Sequence, residues 1–513
     1  MALNTVLAWL IKKRIHQIEL FEKYPLEVQN EVMYNLTKRA ANTEWGLQHG
    51  FEKIKTAADF KSAMPLQDYE AIKPFVNRLI AGEQNLLWPT EIKWFAKSSG
   101  TTQDRSKFIP VSRESLEDCH YKGGKDLLAL YYNANPNSNL YDGKSLVIGG
   151  SSEINEMRED SYIGDLSSII IKNLPFWVEF KRTPQSNVAL MAEWERKIEQ
   201  MAEITMQEDV TNIAGVPSWT IVLFKRILEK TGKSSIGEVW PNLELFMHGG
   251  VNFEPYREQF NDLVQLPNIK FYQSYNASEG YFGIQSRNGL DDMLLMLDYG
   301  IYFEFIEESK WTEDQPETLS LNDLEVGKNY AVVISTNGGL WRYKLGDTIK
   351  VTSTFPFKIK VSGRTKSFIN AFGEELVVEN SDQAVAETCQ QHNCIVNEYT
   401  ACPVYMKGEE SGAHEWIIEF ERDPENIDAF VADLDLNIRK LNSDYDAKRT
   451  GDLTLKQLKL NVVEKDTFYQ WLKSKGKLGG QHKVPRLSND RKHVEEILEF
   501  AEKNRSFVDH SRV

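Results

Sequence analysis

The chain has 513 residues, of which 41% are apolar and 26% charged, with a formal charge of −15 at pH 7. That length exceeds one ordinary hydrophobic core and predicts two or more domains, and the composition is that of a globular, soluble chain and excludes a disordered one. The acid excess argues against a nucleic-acid-binding surface, so no nucleic acid partner is expected. Four cysteines in this length point to a reducing compartment, with the cytoplasm as the expected location. Cys389, Cys394 and Cys402 fall near His392, yet no Cys-x2-Cys pair frames a zinc site; buried or idle thiols are expected.

Residues 3–11 are partly apolar and are followed by Lys12-Lys13-Arg14. A secretory signal has its charges first and a small-residue cleavage site afterwards, so this segment predicts an amphipathic helix, with membrane-surface contact as the lesser alternative. No apolar run approaches the length of a transmembrane helix, and no membrane partner is expected. Up to about Thr90 the pattern is helical; from there to about Arg364 strands and helices alternate. Leu146-Val147-Ile148 reads as a buried strand ending at a loop, Gly149-Gly150-Ser151-Ser152. Trp194, Ile198 and Met201 recur at helical spacing, as do Ile221, Phe224 and Leu228 after Pro217. Residues 271–272, 293–297, 301–306 and 331–334 predict strands, and Asn337-Gly338-Gly339 predicts a hairpin turn. Past Asn370, Val404-Tyr405-Met406 is at most a short strand and 416–420 a clear one. Phe430, Leu434, Ile438 and Leu441 mark one helix, and Val494, Ile497 and Phe500 another. This makeup suits a small α+β domain, with the boundary near 365–370.

Four segments carry candidate chemistry. The first, Ser98-Ser99-Gly100-Thr101-Thr102, is a hydroxyl-dense turn around a glycine, able to wrap a phosphate; alone, such a cluster equally suits a solvated loop. Gly232-Lys233-Ser234 imitates the end of a P-loop, but Ile227 stands where the first glycine is needed, and no G-x-G-x-x-G opens a helix. The second segment, Tyr275-Asn276-Ala277-Ser278-Glu279-Gly280, follows a strand-like 269–272. Its ring can stack on adenine, its hydroxyl can hold an α-phosphate and its carboxylate can hold Mg²⁺; a capped strand-end loop is the bland alternative. In the third, Tyr343-Lys344-Leu345-Gly346-Asp347, a carboxylate fixed by a glycine turn can accept both ribose hydroxyls, although Gly-Asp is also common at hairpin ends. The fourth is Gly363-Arg364-Thr365-Lys366, whose arginine suits ribose or phosphate as well as a plain surface position.

The order of these four segments resembles the adenylate-forming superfamily of acyl-CoA synthetases, luciferases and peptide-synthetase adenylation domains. In style the chain looks like a bacterial-type member of the auxin-responsive Gretchen Hagen family of acyl acid amido synthetases. Gly215-Val216-Pro217-Ser218-Trp219, Tyr302-Phe303-Glu304-Phe305 and Lys483-Val484-Pro485-Arg486 support the likeness, which runs from about Tyr34 to Leu487. It implies an α/β, adenylate-forming (luciferase-like) fold. A large N-terminal domain of mixed sheets and helices (1–364) would precede a hinge (365–370) and a small, mobile α+β C-terminal lid (371–513). By the same resemblance, Ser98, Ser99, Gly100, Thr101 and Thr102 match the phosphate-binding loop, and Gly249 and Gly250 fall where backbone lines the adenine pocket. Tyr275, with Asn276 beside it, matches the adenine-stacking tyrosine; Ser278 matches the α-phosphate contact and Glu279 the Mg²⁺ carboxylate. Asp347 matches the ribose aspartate, Arg364 its neighbour at the hinge, and Lys483 the C-terminal lysine that bridges carboxylate and phosphate. Two departures stand out. Gln103-Asp104 replaces glycine in the phosphate loop, and Glu375 stands in a stretch where plant amido synthetases carry lysine, leaving Lys483 and Lys366 as cations.

The implied reaction uses ATP and Mg²⁺ to adenylate a small-molecule carboxylic acid, releasing pyrophosphate. An amine, an amino acid by this likeness, then takes the acyl group and AMP leaves. His120 and His248 are equal candidates to deprotonate the amine. The acid pocket is expected around 119–130, 216–220 and 302–305. The alternatives are an acyl-CoA ligase and a non-catalytic nucleotide- or acid-binding protein of the same fold, for which Glu375 speaks. The oligomeric state stays open, with a monomer as the default.

Overall fold

The computed structural model describes residues 2–98, 107–149, 155–158, 160–174, 180–191, 193–249, 253, 256–311, 313–365, 368–369, 371, 374, 376–404, 412–442, 445–446, 449, 455–476, 484–488 and 491–504. Its strands are β1 (Trp94–Ser98), β2 (Lys107–Val111), β3 (Lys144–Ile148), β4 (Asn155–Arg158), β5 (Ser161–Gly164), β6 (Arg182–Thr183) and β7 (Val210–Gly215). Then come β8 (Leu245–Gly249), β9 (Lys270–Ala277), β10 (Gly280–Ile284), β11 (Met293–Leu295), β12 (Ile301–Glu307), β13 (Asn329–Thr336) and β14 (Tyr343–Thr354). The last are β15 (Phe357–Arg364), β16 (Phe368–Ile369), β17 (Leu376–Val377), β18 (Ile395–Val404), β19 (Ala413–Arg422) and β20 (Lys459–Val463).

The chain folds into two compact units, one of residues 1–251 and 265–361, the other of 252–264 and 362–513. The excursion of 252–264 into the second unit has no counterpart in the sequence reading. The first unit is built on an eleven-stranded sheet in the order β12-β13-β14-β15-β11-β10-β9-β8-β7-β3-β6, beside a four-stranded sheet β2-β1-β5-β4. Strands β6, β3, β7, β8 and β9 pair in parallel, and β9 then turns back into β10 antiparallel. Parallel strands need crossover connections, which explains the alternation of strand and helix in this stretch. The helix Pro217–Thr231 is typical: Pro217 opens it, its apolar face includes the fully buried Leu223, Phe224 and Ile227, and Gly232 (φ +65°) caps it in the left-handed region. Gly232-Lys233-Ser234, the P-loop look-alike, is thus a helix end.

In the second unit β18, β19 and β20 form a three-stranded sheet and β16 pairs with β17. The helices Val378–His392 and Ile427–Leu441 contribute Val385, Phe430, Leu434 and Ile438 to the core of this sheet. The strand placed at 404–406 from sequence lies earlier: β18 covers 395–404, where Ile395, Val396, Tyr399 and Ala401 are buried, and 405–406 fall outside the described residues. The four cysteines are buried and none is in a disulfide, and among the described residues no three His, Cys, Asp or Glu side chains are grouped to hold a metal. No described helix is long and apolar enough to cross a membrane.

Candidate active site

Strands β9 and β10 form a hairpin in which Ala277 pairs with Gly280, leaving only Ser278 and Glu279 as the turn. The sequence reading ended this strand at Tyr272, with Tyr275 in a loop; instead the ladder continues, because Tyr275 pairs with Gly283, and Asn276 with Tyr281. Tyr275 is held in the sheet with its ring against Phe282 (centroids 4.9 Å apart). Its hydroxyl donates to Asp347 Oδ2 at 2.8 Å.

Asp347 lies on β14, not on a turn. Against β13, Ala331 pairs with Thr348 but Val333 with Lys344, so residues 345–347 bulge out of the ladder. Gly346, at φ +86°, supplies the left-handed backbone that the bulge requires. The bulge re-aims the carboxylate toward β9, bringing together two candidate residues 72 positions apart.

Gly249 ends β8 opposite Ser274 of β9. A Cβ there would lie 2.6 Å from the Ser274 carbonyl oxygen and 3.4 Å from Asn276 Oδ1, so glycine is needed for space. Ser278 is 4% exposed and its Oγ has no hydrogen-bond partner, whereas Glu279 beside it is half-buried and Asn276 exposed. An unpartnered buried hydroxyl in a two-residue turn is a polar atom in want of an acceptor or donor.

Ser98 ends β1, opposite Lys107 of β2. Ser99, Gly100, Thr101 and Thr102 lie outside the described residues, as do Gly250 and Lys483, together with Gln103-Asp104, Lys366 and Glu375. A connection that the sequence reading missed ties this hairpin to β14. Gln67 donates its N–H to the Arg342 carbonyl at 2.9 Å and accepts from the Lys344 N–H at 2.8 Å, while the Tyr69 hydroxyl accepts from the Phe108 N–H at 2.8 Å. Nothing local distinguishes Gln67, whose role depends on a partner far along the chain. Arg364 closes β15 and belongs to the second unit.

Of the expected pocket segments, residues 115–120 form a π-helical turn that runs into the helix Tyr121–Ala134. Cys119 Sγ accepts from the Tyr281 N–H at 3.2 Å, and Gly123 allows the Tyr281 ring to approach, since a Cβ would meet that ring at 2.5 Å. Burial pushes the Cys119 thiol up to about 12 and His120 down to about 4. His120 is therefore neutral near pH 7, with Nδ1 unpartnered. His248 is buried on β8 near the Phe246 ring. All four side chains of 302–305 are buried, and Glu304 pairs with Arg342 (2.9 and 3.0 Å) next to Thr318. Thr220 binds the Val216 carbonyl at 3.0 Å, closing the first turn of its helix.

Comparisons with known proteins agree with one another. The GH3 family N-terminal, central and C-terminal domain models match residues 14–268, 294–364 and 379–492. Indole-3-acetic acid-amido synthetase GH3.3 of Arabidopsis thaliana is 22% identical over 538 aligned positions, covering 90% of this chain and 89% of its own. Jasmonoyl--L-amino acid synthetase GH3.5 of Oryza sativa subsp. japonica is 22% identical, with 93% and 95% covered. Among solved structures, GH3.15 acyl acid amido synthetase superposes with a TM-score of 0.76 at 18% identity over 94% of both chains. A 2-hydroxyisobutyryl-CoA ligase in the postadenylation state reaches 0.59 at 10% identity over 93% and 91%. The fold is thereby that of the adenylate-forming enzymes.

Proposed function

The chain belongs to the GH3 family, and from that premise we propose that it is an ATP-dependent acyl acid amido synthetase. It adenylates a carboxylic acid, releasing pyrophosphate, and passes the acyl group to an amino acid, releasing AMP. The observation that carries this reading is the Tyr275–Asp347 hydrogen bond at 2.8 Å, which joins two of the four motif segments into one cluster beside Ser278.

The residues suit a nucleotide. Gly249 leaves room that a Cβ would fill, and the Ser278 hydroxyl lacks a partner that an α-phosphate oxygen would supply. Asp347 can accept from the ribose hydroxyls while the Tyr275 phenol holds its other oxygen in place. Glu279 would hold Mg²⁺ together with phosphate oxygens and water, and the ion would offset phosphate charge. A carboxylate and a phosphate repel each other, so positioning and cationic side chains must supply most of the barrier reduction; Lys483 is the proposed bridging cation and Arg364 a second. For the second half-reaction the C-terminal unit is proposed to turn about 365–370 and present a different wall. A His120 held near 4 is a poor proton acceptor for an ammonium. His248, likewise buried, is the other candidate for that role. The cytoplasm is the proposed compartment.

The test is to mix ATP, Mg²⁺ and a panel of carboxylic acids and measure pyrophosphate, then to add amino acids or coenzyme A and weigh the product. Acid-dependent pyrophosphate with an amide product is expected. A thioester would make the chain an acyl-CoA ligase, and no pyrophosphate with any acid would make it a binding protein.

A further inference from the structure

One buried arginine ties the start of β14 to a segment far earlier in the chain. Arg342 is 6% exposed and sits at φ +43°, a left-handed backbone that a bulky residue adopts only where its surroundings hold it. Its guanidinium reaches past β13 to β12. Nε donates to Glu304 Oε2 at 3.0 Å, and Nη2 donates to Glu304 Oε1 at 2.9 Å and to Thr318 Oγ1 at 3.1 Å. Nη1 donates to the Lys61 and Met64 carbonyls at 3.0 and 2.7 Å. A planar fork engaged in this way fixes orientation as well as position, which an ammonium could not do.

The segment so gripped is the one that braces β14. Gln67 bridges Tyr343 in parallel, through its backbone bonds to Arg342 and Lys344. The Gln315 side chain pairs with the N–H and carbonyl of Leu66 at 2.8 and 3.1 Å, and Lys61 Nζ donates to the Thr318 carbonyl at 2.6 Å. Residues 61–67, Glu304 and the start of β14 therefore form one frame inside the first unit. The bulge leaves that frame directly. Lys344 makes the last regular pair before it, with Val333, and Asp347 is delivered from the bulge onto the Tyr275 hydroxyl.

We infer that Arg342 is a positioning residue for Asp347: by fixing residues 61–67 and the start of β14 to one frame, it sets where the carboxylate meets the ribose hydroxyls. The inference rests on the ribose role proposed for Asp347. Hydrogen bonds weaken steeply as their distance and angle drift, so slack at 342–344 reaches the ribose contact through the few residues of the bulge.

The experiment measures equilibrium binding of ATP and of 2′,3′-dideoxy-ATP, each with Mg²⁺, so that turnover is not needed. The variants are Arg342→Lys, which keeps a charge opposite Glu304, and Arg342→Met combined with Glu304→Gln, which leaves no lone buried charge. Melting curves identify the folded proteins, and either variant suffices. The unaltered protein is expected to bind ATP roughly 10- to 100-fold more tightly than the dideoxy nucleotide, the difference made by hydrogen bonds to a carboxylate. In the Arg342 variants that ratio should fall to within about threefold, through weaker ATP binding and with dideoxy affinity nearly unchanged. In an Asp347→Ala background, Arg342→Lys should narrow the ratio no further. An unchanged ratio in a folded variant, equal weakening of both nucleotides, or further narrowing in the Asp347→Ala background would overturn the inference. An unaltered protein that binds neither nucleotide, or both equally, would overturn it together with the ribose role. Discrimination without acid-dependent pyrophosphate counts against the ligase reading alone, and the ratio still decides on Arg342.

Discussion

In one half of the eleven-stranded sheet, β6, β3, β7, β8 and β9 run parallel; in the other, the pairs β9–β10, β10–β11, β11–β15, β12–β13 and β13–β14 run antiparallel. The parallel half brings strand ends out at a common edge, and what it offers there is bare backbone: Gly215 before a helix and Gly249 against Ser274. The antiparallel half delivers side chains, and to do so it has to leave regular geometry. Ser278 and Glu279 sit on the tightest available turn, and Asp347 on a bulge. Strand β9 belongs to both halves, and Tyr275 and Asn276 lie on it. Shape in the candidate nucleotide site thus comes from one half of the sheet and its candidate polar side chains from the other.

The largest test of that division is Asp347→Ala, expected to lower kcat/KM for ATP by roughly 100- to 1,000-fold, about 3–4 kcal/mol, with folding intact. Near-normal kinetics would remove the antiparallel half from the site. His120, on the turn packed beside β10, gives an acid-side test of stability. Its folded value of about 4 lies below the ordinary 6.5, so its contribution is complete above pH 6.5 and is lost as pH falls toward 4. The loss is on the order of 3 kcal/mol, and in denaturant titrations His120→Asn should flatten that limb of the pH profile.

The glycines sharpen the comparison at a smaller scale. Gly249→Ala drives a methyl group into a backbone carbonyl and is expected to cost roughly 2 kcal/mol in denaturation midpoints and to raise the ATP KM. Gly346 has open space around it but sits at φ +86°, so Gly346→Ala should cost about 1 kcal/mol. Asparagine, which tolerates left-handed backbone, should be accepted better than alanine at 346 and worse than alanine at 249. Equal responses to asparagine at both positions would erase the distinction between a glycine kept for space and one kept for conformation. The smallest expected effect on stability is that of Ser278→Ala, which deletes a buried hydroxyl without a partner. Its melting temperature should hold or rise slightly, while pyrophosphate exchange falls about tenfold, near 1.4 kcal/mol.

Much of the architecture was legible before folding. The helix over 217–231, the strands at 301–307 and 329–336 and the helix over 427–441 follow from apolar spacing and from Pro217 and Gly232, which act on their immediate neighbours. The motif order was legible for the same reason, since each segment is short and contiguous. The strand near 404 was misplaced because its run of Thr400, Ala401 and Cys402 carries little alternation, and its burial comes from β19 and from residues 485–488.

By itself, then, the sequence determined where chain direction changes, which stretches seek an apolar interior, and which residues could serve a nucleotide, because those depend on sterics and periodicity within a few residues. Only the tertiary structure decided that Tyr275 binds Asp347, that Gln67 braces β14, that Asp347 rides a bulge and that Arg342 joins Glu304 to the Lys61 and Met64 carbonyls. Each of these joins atoms far apart along the chain, and the partner is chosen by strand register and by the need to satisfy buried polar groups, which no local pattern encodes.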